Sequence, residues 1–255
     1  MTVRRRDVLV VGGIIAMVYG ARAIPWDRLT GGGPDYVEIA DLPPFRRLAI
    51  QGQTSGIGAA FVGLNPPVSD AGARRARADA LRADPCPALF GNEKHVGVVP
   101  IAYFSEFRCP YCRALERDLD KLLADDPGSF RIVQHEFPIF GPSSELAARA
   151  SVAAARQGMQ QELRRRFMRT PLVAEEASVL RVATDLGLDT DRLTYDMASP
   201  EVQAELDTTR ALADVFGFIG TPGLVIGHTV LNGAISYAVL RQIAEDEKSM
   251  AKASC

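Results

Sequence analysis

Cys109 and Cys112 are the residues of this 255-residue chain whose type and spacing are best suited to chemistry. Two cysteines separated by two residues can close a small disulfide or bind a metal ion. The apolar run 98–104 before them is typical of a short strand. After them, apolar side chains recur at helical spacing as far as the Asp-Pro-Gly sequence at 126–128, and this face consists of Cys112, Leu115, Leu119, Leu122 and Leu123. The pair therefore lies on a predicted strand-to-helix turn.

The predicted turn gives the two cysteines different environments. Pro110 suits the first position of a helix, where its missing N–H costs nothing. Cys109 then stands at the helix N-terminus, where free N–H groups and the helix dipole stabilise a thiolate. Cys112 faces inward and is less exposed. We therefore expect Cys109 to be the attacking thiol and Cys112 to resolve the mixed disulfide that it forms.

A structural zinc site is the main alternative for two cysteines at this spacing. It would need a second pair of cysteines or histidines at ligand spacing. The remaining cysteines and histidines are scattered, at Cys86, His95, His135, His228 and Cys255. We therefore predict no metal site and no cofactor, and we interpret His135 and His228 as strand and turn residues. A disulfide between Cys86 and Cys255 is left open, because an oxidising compartment favours it but Cys255 ends a polar tail.

The stretch from Phe104 to Cys112, with the helix after it, resembles the active site of the DsbA-like thiol-disulfide oxidoreductases of the thioredoxin superfamily. The sequence Gly-Thr-Pro-Gly at 220–223 is similar to the cis-proline loop of that superfamily. The resemblance covers residues 89–247. It implies an α/β, thioredoxin-like fold with a helical insertion at about 142–216, plus an N-terminal extension.

The same resemblance implies roles for single residues around the cysteines. Pro222, preceded by Thr221, is expected to be cis and to lie against the disulfide, where it offers a backbone edge to a substrate peptide. Pro110 and Tyr111, the dipeptide between the cysteines, are expected to tune the redox potential.

Two further positions concern the handling of protons. Many relatives carry a buried acid six residues before the first cysteine, thought to take the proton from the second, but this chain has Tyr103 there. We expect Glu106 to face solvent. Its nearness to Cys109 gives a second interpretation, in which the Glu106 carboxylate transfers protons.

Residues 1–23 have the pattern of an export signal. Three arginines at 4–6 precede a short apolar run at 8–19, and Ala-Arg-Ala at 21–23 is a typical cleavage site. The apolar run is short for a membrane span, which needs about 20 residues. The arginine pair resembles a twin-arginine signal. We predict export to the periplasm, with an uncleaved membrane anchor as the alternative.

The N-terminal extension, residues 24–88, has no role that its sequence reveals. Its glycine-rich stretch 54–60 lacks the following helix that a dinucleotide-binding fingerprint needs, so we interpret it as a plain loop. Residues 71–83 are typical of a short helix. The extension could pack on the catalytic domain, bind a membrane partner or mediate oligomerisation, and the sequence does not choose among these. A polar tail, residues 248–255, ends the chain.

The formal net charge of −2 shows no basic surplus, so we predict no nucleic-acid partner. The cysteine pair and the resemblance together predict an exported thiol:disulfide oxidoreductase. Its substrates would be cysteine-containing exported proteins, and a membrane redox partner would re-oxidise it. An isomerase or reductase on the same fold is the alternative. A metal-binding protein on this fold has less support, since the chain shows no methionine or histidine cluster, and a glutathione-linked transferase on the same fold lacks support too.

Overall fold

The computed structural model describes residues 34–56, 71–92, 96–169, 175–250 and 255. The predicted export signal, residues 1–23, lies outside the described residues and stays a prediction. Within the described ranges, no helix combines the length and the apolar character that crossing a membrane requires.

A six-stranded mixed sheet lies at the centre of the fold, with the strand order β1-β2-β6-β5-β3-β4. The strands are β1 (Tyr36–Glu38), β2 (Arg46–Leu48), β3 (Val99–Ser105), β4 (Phe130–Glu136), β5 (Gly223–Ile226) and β6 (Thr229–Asn232). β3 runs parallel to β4 and antiparallel to β5. All of its residues are buried, as expected for a strand covered on both faces.

The helices of the described ranges are α1 (Ala71–Ala83), α2 (Cys86–Phe90), α3 (Pro110–Asp125), α4 (Pro142–Ala155), α5 (Gln160–Arg169), α6 (Glu176–Asp185), α7 (Thr190–Met197), α8 (Pro200–Phe216) and α9 (Tyr237–Met250). Five of them, α4 to α8, stand between β4 and β5, where the helical insertion is expected. A mixed sheet with helices on it confirms the predicted α/β class, and the helices between β4 and β5 confirm the predicted helical insertion.

The side chains of β3 divide the core into two apolar clusters. Ile101 and Tyr103 belong to the cluster that contains the buried face of α3. Ala102 and Phe104 belong to the other cluster, with Phe216 at the end of α8. Alternate side chains of a strand point to opposite faces of its sheet, so β3 holds α3 on one side and α8 on the other.

The ends of α8 follow from its sequence and set the start of the loop at 218–222. The Ser199 hydroxyl accepts a hydrogen bond from the Val202 N–H, and Pro200 occupies the first turn. Gly217 ends the helix with a φ of 67° in the left-handed region, which glycine adopts without steric strain because it has no Cβ. The chain then turns through this loop into β5.

Part of the segment predicted as an extension belongs to the central sheet. β1 pairs antiparallel with β2, and β2 pairs parallel with β6. Arg46 in β2 forms an ion pair with Glu247 in α9 at 2.9 Å. The predicted helix at 71–83 is confirmed as α1, and its Arg74 pairs with Asp214 in α8. This segment therefore packs on the rest of the fold, through β6, α8 and α9.

The Cys86–Cys255 pairing that the sequence leaves open is a disulfide, with an S–S distance of 2.08 Å and a Cα–Cα distance of 5.4 Å. It links α2 to the last residue of the chain. The tail predicted at 248–255 is helical as far as Met250, where α9 ends.

Candidate active site

The end of β3 and the start of α3 position the cysteine pair. Cys109 is the N-cap residue of α3, with Pro110 in the first turn, as predicted. The Cys109 sulfur accepts a hydrogen bond from the Cys112 N–H at 3.2 Å. Both cysteines are free thiols and both are buried. Between them, Pro110 is exposed and Tyr111 is partly buried.

The loop at 218–222 meets this helix start because β5 lies beside β3. In the register of the two strands, Gly223 is opposite Phe104. The Thr221–Pro222 peptide bond is cis, as the resemblance implies. The Cys109 sulfur lies 3.4 Å from the Thr221 carbonyl oxygen, to which the protonated thiol donates a hydrogen bond. The structure therefore brings Cys109, Cys112, Thr221 and the cis-proline together.

The two thiols have opposite acidity. A hydrogen bond from the Cys112 thiol lowers the pKa of Cys109 to about 5, against the effect of burial, and the side chains of Thr221 and Ser55 lower it further. Burial raises the pKa of Cys112 well above its ordinary value, and the hydrogen bond and charge of Cys109 add to the increase. Near neutral pH the reduced pair therefore carries one thiolate, at Cys109.

Tyr103 lies beside Cys112. Its side chain is fully buried, and its hydroxyl donates a hydrogen bond to the Cys112 carbonyl oxygen at 2.9 Å. Burial raises the pKa of this hydroxyl well above its ordinary value. At the position where many relatives carry an acid, this chain therefore has a neutral donor that holds the first turn of α3.

The expectation that Glu106 faces solvent is wrong, because the residue is only 2% exposed. Its carboxylate accepts hydrogen bonds from the Arg108 N–H and the Ile139 N–H, both at 3.0 Å. Burial raises its pKa, and the two backbone donors oppose that effect. Glu106 thus ties the loop before Cys109 to the chain after β4. Its role in proton transfer stays a prediction.

A buried ionic network around Arg164 lies below the site, and sequence reasoning missed it. Arg164 is fully buried and donates hydrogen bonds to Ser105 at 3.1 Å, to Glu116 at 3.2 Å and to Glu136. Its guanidinium lies 5.4 Å from the ring centroid of Phe107. The partners of Arg164 come from β3, α3 and β4. Because these elements are distant in the sequence, no local sequence pattern predicts the cluster.

Ser55 is the second residue that sequence reasoning missed. It comes from the loop predicted at 54–60, and its backbone forms hydrogen bonds in both directions with Thr221. This pairing joins positions separated by more than half of the chain. No periodicity or motif marks such a contact.

The histidines of the described residues take part in packing. His135 lies in β4, stacks on Phe104 with a centroid distance of 4.5 Å and contacts the Leu89 carbonyl oxygen at 2.9 Å. Burial lowers its pKa to about 4. His228 lies in the turn between β5 and β6, as predicted. In the part of the chain that the structure describes, no three acidic, histidine or cysteine side chains are grouped as a metal site would need.

The family is shown by comparison with known proteins. The family model described as a DSBA-like thioredoxin domain matches residues 100–244. A thioredoxin-like oxidoreductase from Silicibacter pomeroyi DSS-3 is 36% identical, with 66% of this chain and 98% of that chain covered and a TM-score of 0.59. The chain belongs to the DsbA-like family of the thioredoxin superfamily.

More distant relatives agree on the fold. The thiol-disulfide exchange protein α-DsbA2 from Wolbachia pipientis is 21% identical, with 70% of this chain and 99% of that chain covered and a TM-score of 0.57.

A Na⁺/H⁺ antiporter, NhaA 3 of Salinispora tropica, is 29% identical over 153 residues, which are 57% of this chain and 23% of the antiporter. The chain thus spans about a quarter of the curated relatives that it matches, and their transport activity is not assigned to it.

Proposed function

We propose that this protein donates the Cys109–Cys112 disulfide to cysteine-containing proteins. The observation that carries this direction of exchange is the pKa of Cys109, lowered to about 5, beside a Cys112 whose pKa is raised. A stabilised thiolate favours the reduced form of the protein. Its disulfide is therefore a strong oxidant.

The exchange proceeds in two steps with Cys109 at the centre of both. A substrate thiolate attacks the Cys109 sulfur, a bond forms between them, and the Cys109–Cys112 bond breaks with its electron pair on Cys112. Burial favours protonation of that leaving sulfur. A second substrate thiolate then attacks the substrate sulfur of the mixed disulfide, and Cys109 leaves as a stable thiolate. The substrate loses two electrons and the protein gains them.

The proposed cellular setting is the periplasm, after export directed by residues 1–23. An oxidising compartment preserves structural disulfides, and the Cys86–Cys255 bond is suited to it. The reduced pair must pass its two electrons to an oxidant, and we assign this step to a membrane redox partner. We leave oligomerisation through the N-terminal segment as a secondary proposal.

Oxidative refolding of reduced, unfolded ribonuclease A tests the direction of exchange. The oxidised protein should restore ribonuclease activity, whereas Cys109→Ala should not. A Cys86→Ala, Cys255→Ala variant is the matched control, because it keeps the redox pair and should stay active. A protein that reduces insulin disulfides but does not oxidise ribonuclease would contradict the proposal and favour a reductase.

A further inference from the structure

Residues 52–56 run in extended form along the end of β6 and the cis-proline loop. The Gly52 N–H donates to the Asn232 carbonyl oxygen at 2.7 Å. Gln53 and Ala234 form an antiparallel bridge, with N–O distances of 3.1 and 2.8 Å. This segment, which we call the strap, is thus attached to the sheet next to the active site.

Two residues further along, the strap reaches the residue that touches the reactive sulfur. The Ser55 N–H donates to the Thr221 carbonyl oxygen at 2.7 Å, and the Thr221 N–H donates to the Ser55 carbonyl oxygen at 2.8 Å. The same Thr221 oxygen lies 3.4 Å from the Cys109 sulfur. An extended peptide that came to Cys109 would need these backbone groups for pairing. Ser55 already holds both.

The contact between strap and loop is close because glycines line it. A Cβ on Gly56 would lie 2.9 Å from the Ile219 carbonyl oxygen, and one on Gly220 would lie 2.7 Å from the Ser55 carbonyl oxygen. At the other end, a Cβ on Gly52 would lie 2.2 Å from the Ala234 carbonyl oxygen. The strap therefore lies directly on the backbone of the loop, with no space left between them.

Cys109 is buried where the strap meets the cis-proline loop. Its side chain is 0% exposed, although thiol-disulfide exchange needs an incoming sulfur to reach the attacked sulfur directly. The Ser55 backbone pairs with Thr221, whose carbonyl oxygen lies 3.4 Å from the Cys109 sulfur, and the Ser55 side chain is one of the groups that lower the Cys109 pKa. An exchange partner cannot reach Cys109 in this arrangement.

We propose that the strap is an internal competitor for the substrate site, with Ser55 in the place of the substrate cysteine. A cysteine-containing peptide in extended conformation displaces the strap and takes over its two hydrogen bonds with Thr221. Serine fills the position without reacting, since its oxygen cannot form a disulfide. This inference rests on the proposed function and adds a form of regulation to the same site.

A disulfide-trapping experiment tests the position of the strap. In the Cys112→Ala background, Ser55→Cys places a thiol beside Cys109. Oxidised glutathione then supplies the oxidant: two protein thiols become one disulfide, and two molecules of reduced glutathione are released. Thr54→Cys is the matched control, because neighbouring side chains of an extended segment point to opposite sides. Peptide mapping measures the bond between position 55 and Cys109.

We expect the disulfide between position 55 and Cys109 in the Ser55→Cys protein to form at least about tenfold faster than the disulfide between position 54 and Cys109 in the Thr54→Cys protein. This rate ratio is equivalent to about 1.4 kcal/mol. Equal rates, or no closure in either protein, would overturn the inference. The readout does not depend on disulfide donation to substrates. It therefore stands apart from the refolding test of the proposed function.

A second experiment measures whether the strap blocks access. Gly52→Ala should push the strap off Ala234 and raise the rate of Cys109 alkylation by iodoacetamide about tenfold, as expected from the loss of one or two backbone hydrogen bonds. Gly72→Ala is the control, since a Cβ there meets nothing within 4 Å. Unchanged alkylation in Gly52→Ala would overturn the inference. If alkylation is faster in Gly52→Ala but the wild-type protein does not restore ribonuclease activity in the refolding assay, the inference about the strap stands and the proposed function is overturned.

Discussion

Acidification from pH 7 to pH 4 should remove the stability that the Cys109 thiolate gives to the reduced protein. The pKa of Cys109 is lowered from 9.0 to about 5 in the folded state. A lowered pKa stabilises the folded protein fully above the unfolded value, and this stability is lost as the pH falls through the folded value. The sensitive range therefore runs from about pH 9 down to about pH 5.

The magnitude follows from the same two pKa values. At pH 7 the unfolded chain carries almost only the thiol at this position, while the folded protein is almost fully ionised there. Neutral pH lies two pH units above the folded pKa, so the thiolate contributes about 2.7 kcal/mol at about 1.4 kcal/mol per unit. At pH 4 the contribution is close to zero. For a two-electron couple the loss corresponds to about 60 mV.

Urea unfolding of the oxidised and reduced forms measures this contribution. Both forms should carry Cys86→Ala and Cys255→Ala, so that only the Cys109–Cys112 pair differs between them. Groups that titrate alike in the two forms then cancel. We expect the difference in unfolding free energy, reduced minus oxidised, to fall by about 2.7 kcal/mol between pH 7 and pH 4. A difference that does not change with pH would refute the assignment of the thiolate to Cys109.

Four other substitutions have defined outcomes. Cys112→Ala should accumulate mixed disulfides with substrates, and Cys109→Ala should form none; non-reducing gels measure this, and equal trapping by the two variants would contradict the assignment of the attacking and resolving thiols. Glu106→Gln should lower the unfolding free energy by about 1–3 kcal/mol, because one buried backbone N–H loses its acceptor; unchanged urea midpoints would show that this link is dispensable. Arg164→Met should cost about 3–5 kcal/mol by leaving the Glu136 carboxylate buried without its cation, and a loss below about 1 kcal/mol would contradict that pairing.

The helix that carries the cysteines could be predicted because its information is local. Cys112, Leu115 and Leu119 recur at helical spacing and are buried as expected. Leu123, assigned to the same face, is only partly buried, since it lies at the edge of that stripe. The cis-proline loop was found through the resemblance of a short motif, and the structure places it against Cys109.

The features that the sequence did not reveal depend on contacts between distant segments. Glu106 was expected in solvent, but the Ile139 N–H that holds it comes from beyond β4. The Cys86–Cys255 bond spans 169 positions, and the polar sequence before Cys255 weighs against it. Ser55 lies in a glycine-rich stretch that is typical of a plain loop. Only the folded sheet brings it to Thr221.

The equilibrium of the Cys109–Cys112 pair with glutathione tests the central claim most directly. Mixtures of reduced and oxidised glutathione at pH 7 fix the potential, and mass spectrometry of alkylated protein gives the reduced fraction. Disulfide donation predicts a reduction potential above about −200 mV, toward the value of about −120 mV known for DsbA. A potential near the value of about −270 mV for thioredoxin would contradict the account.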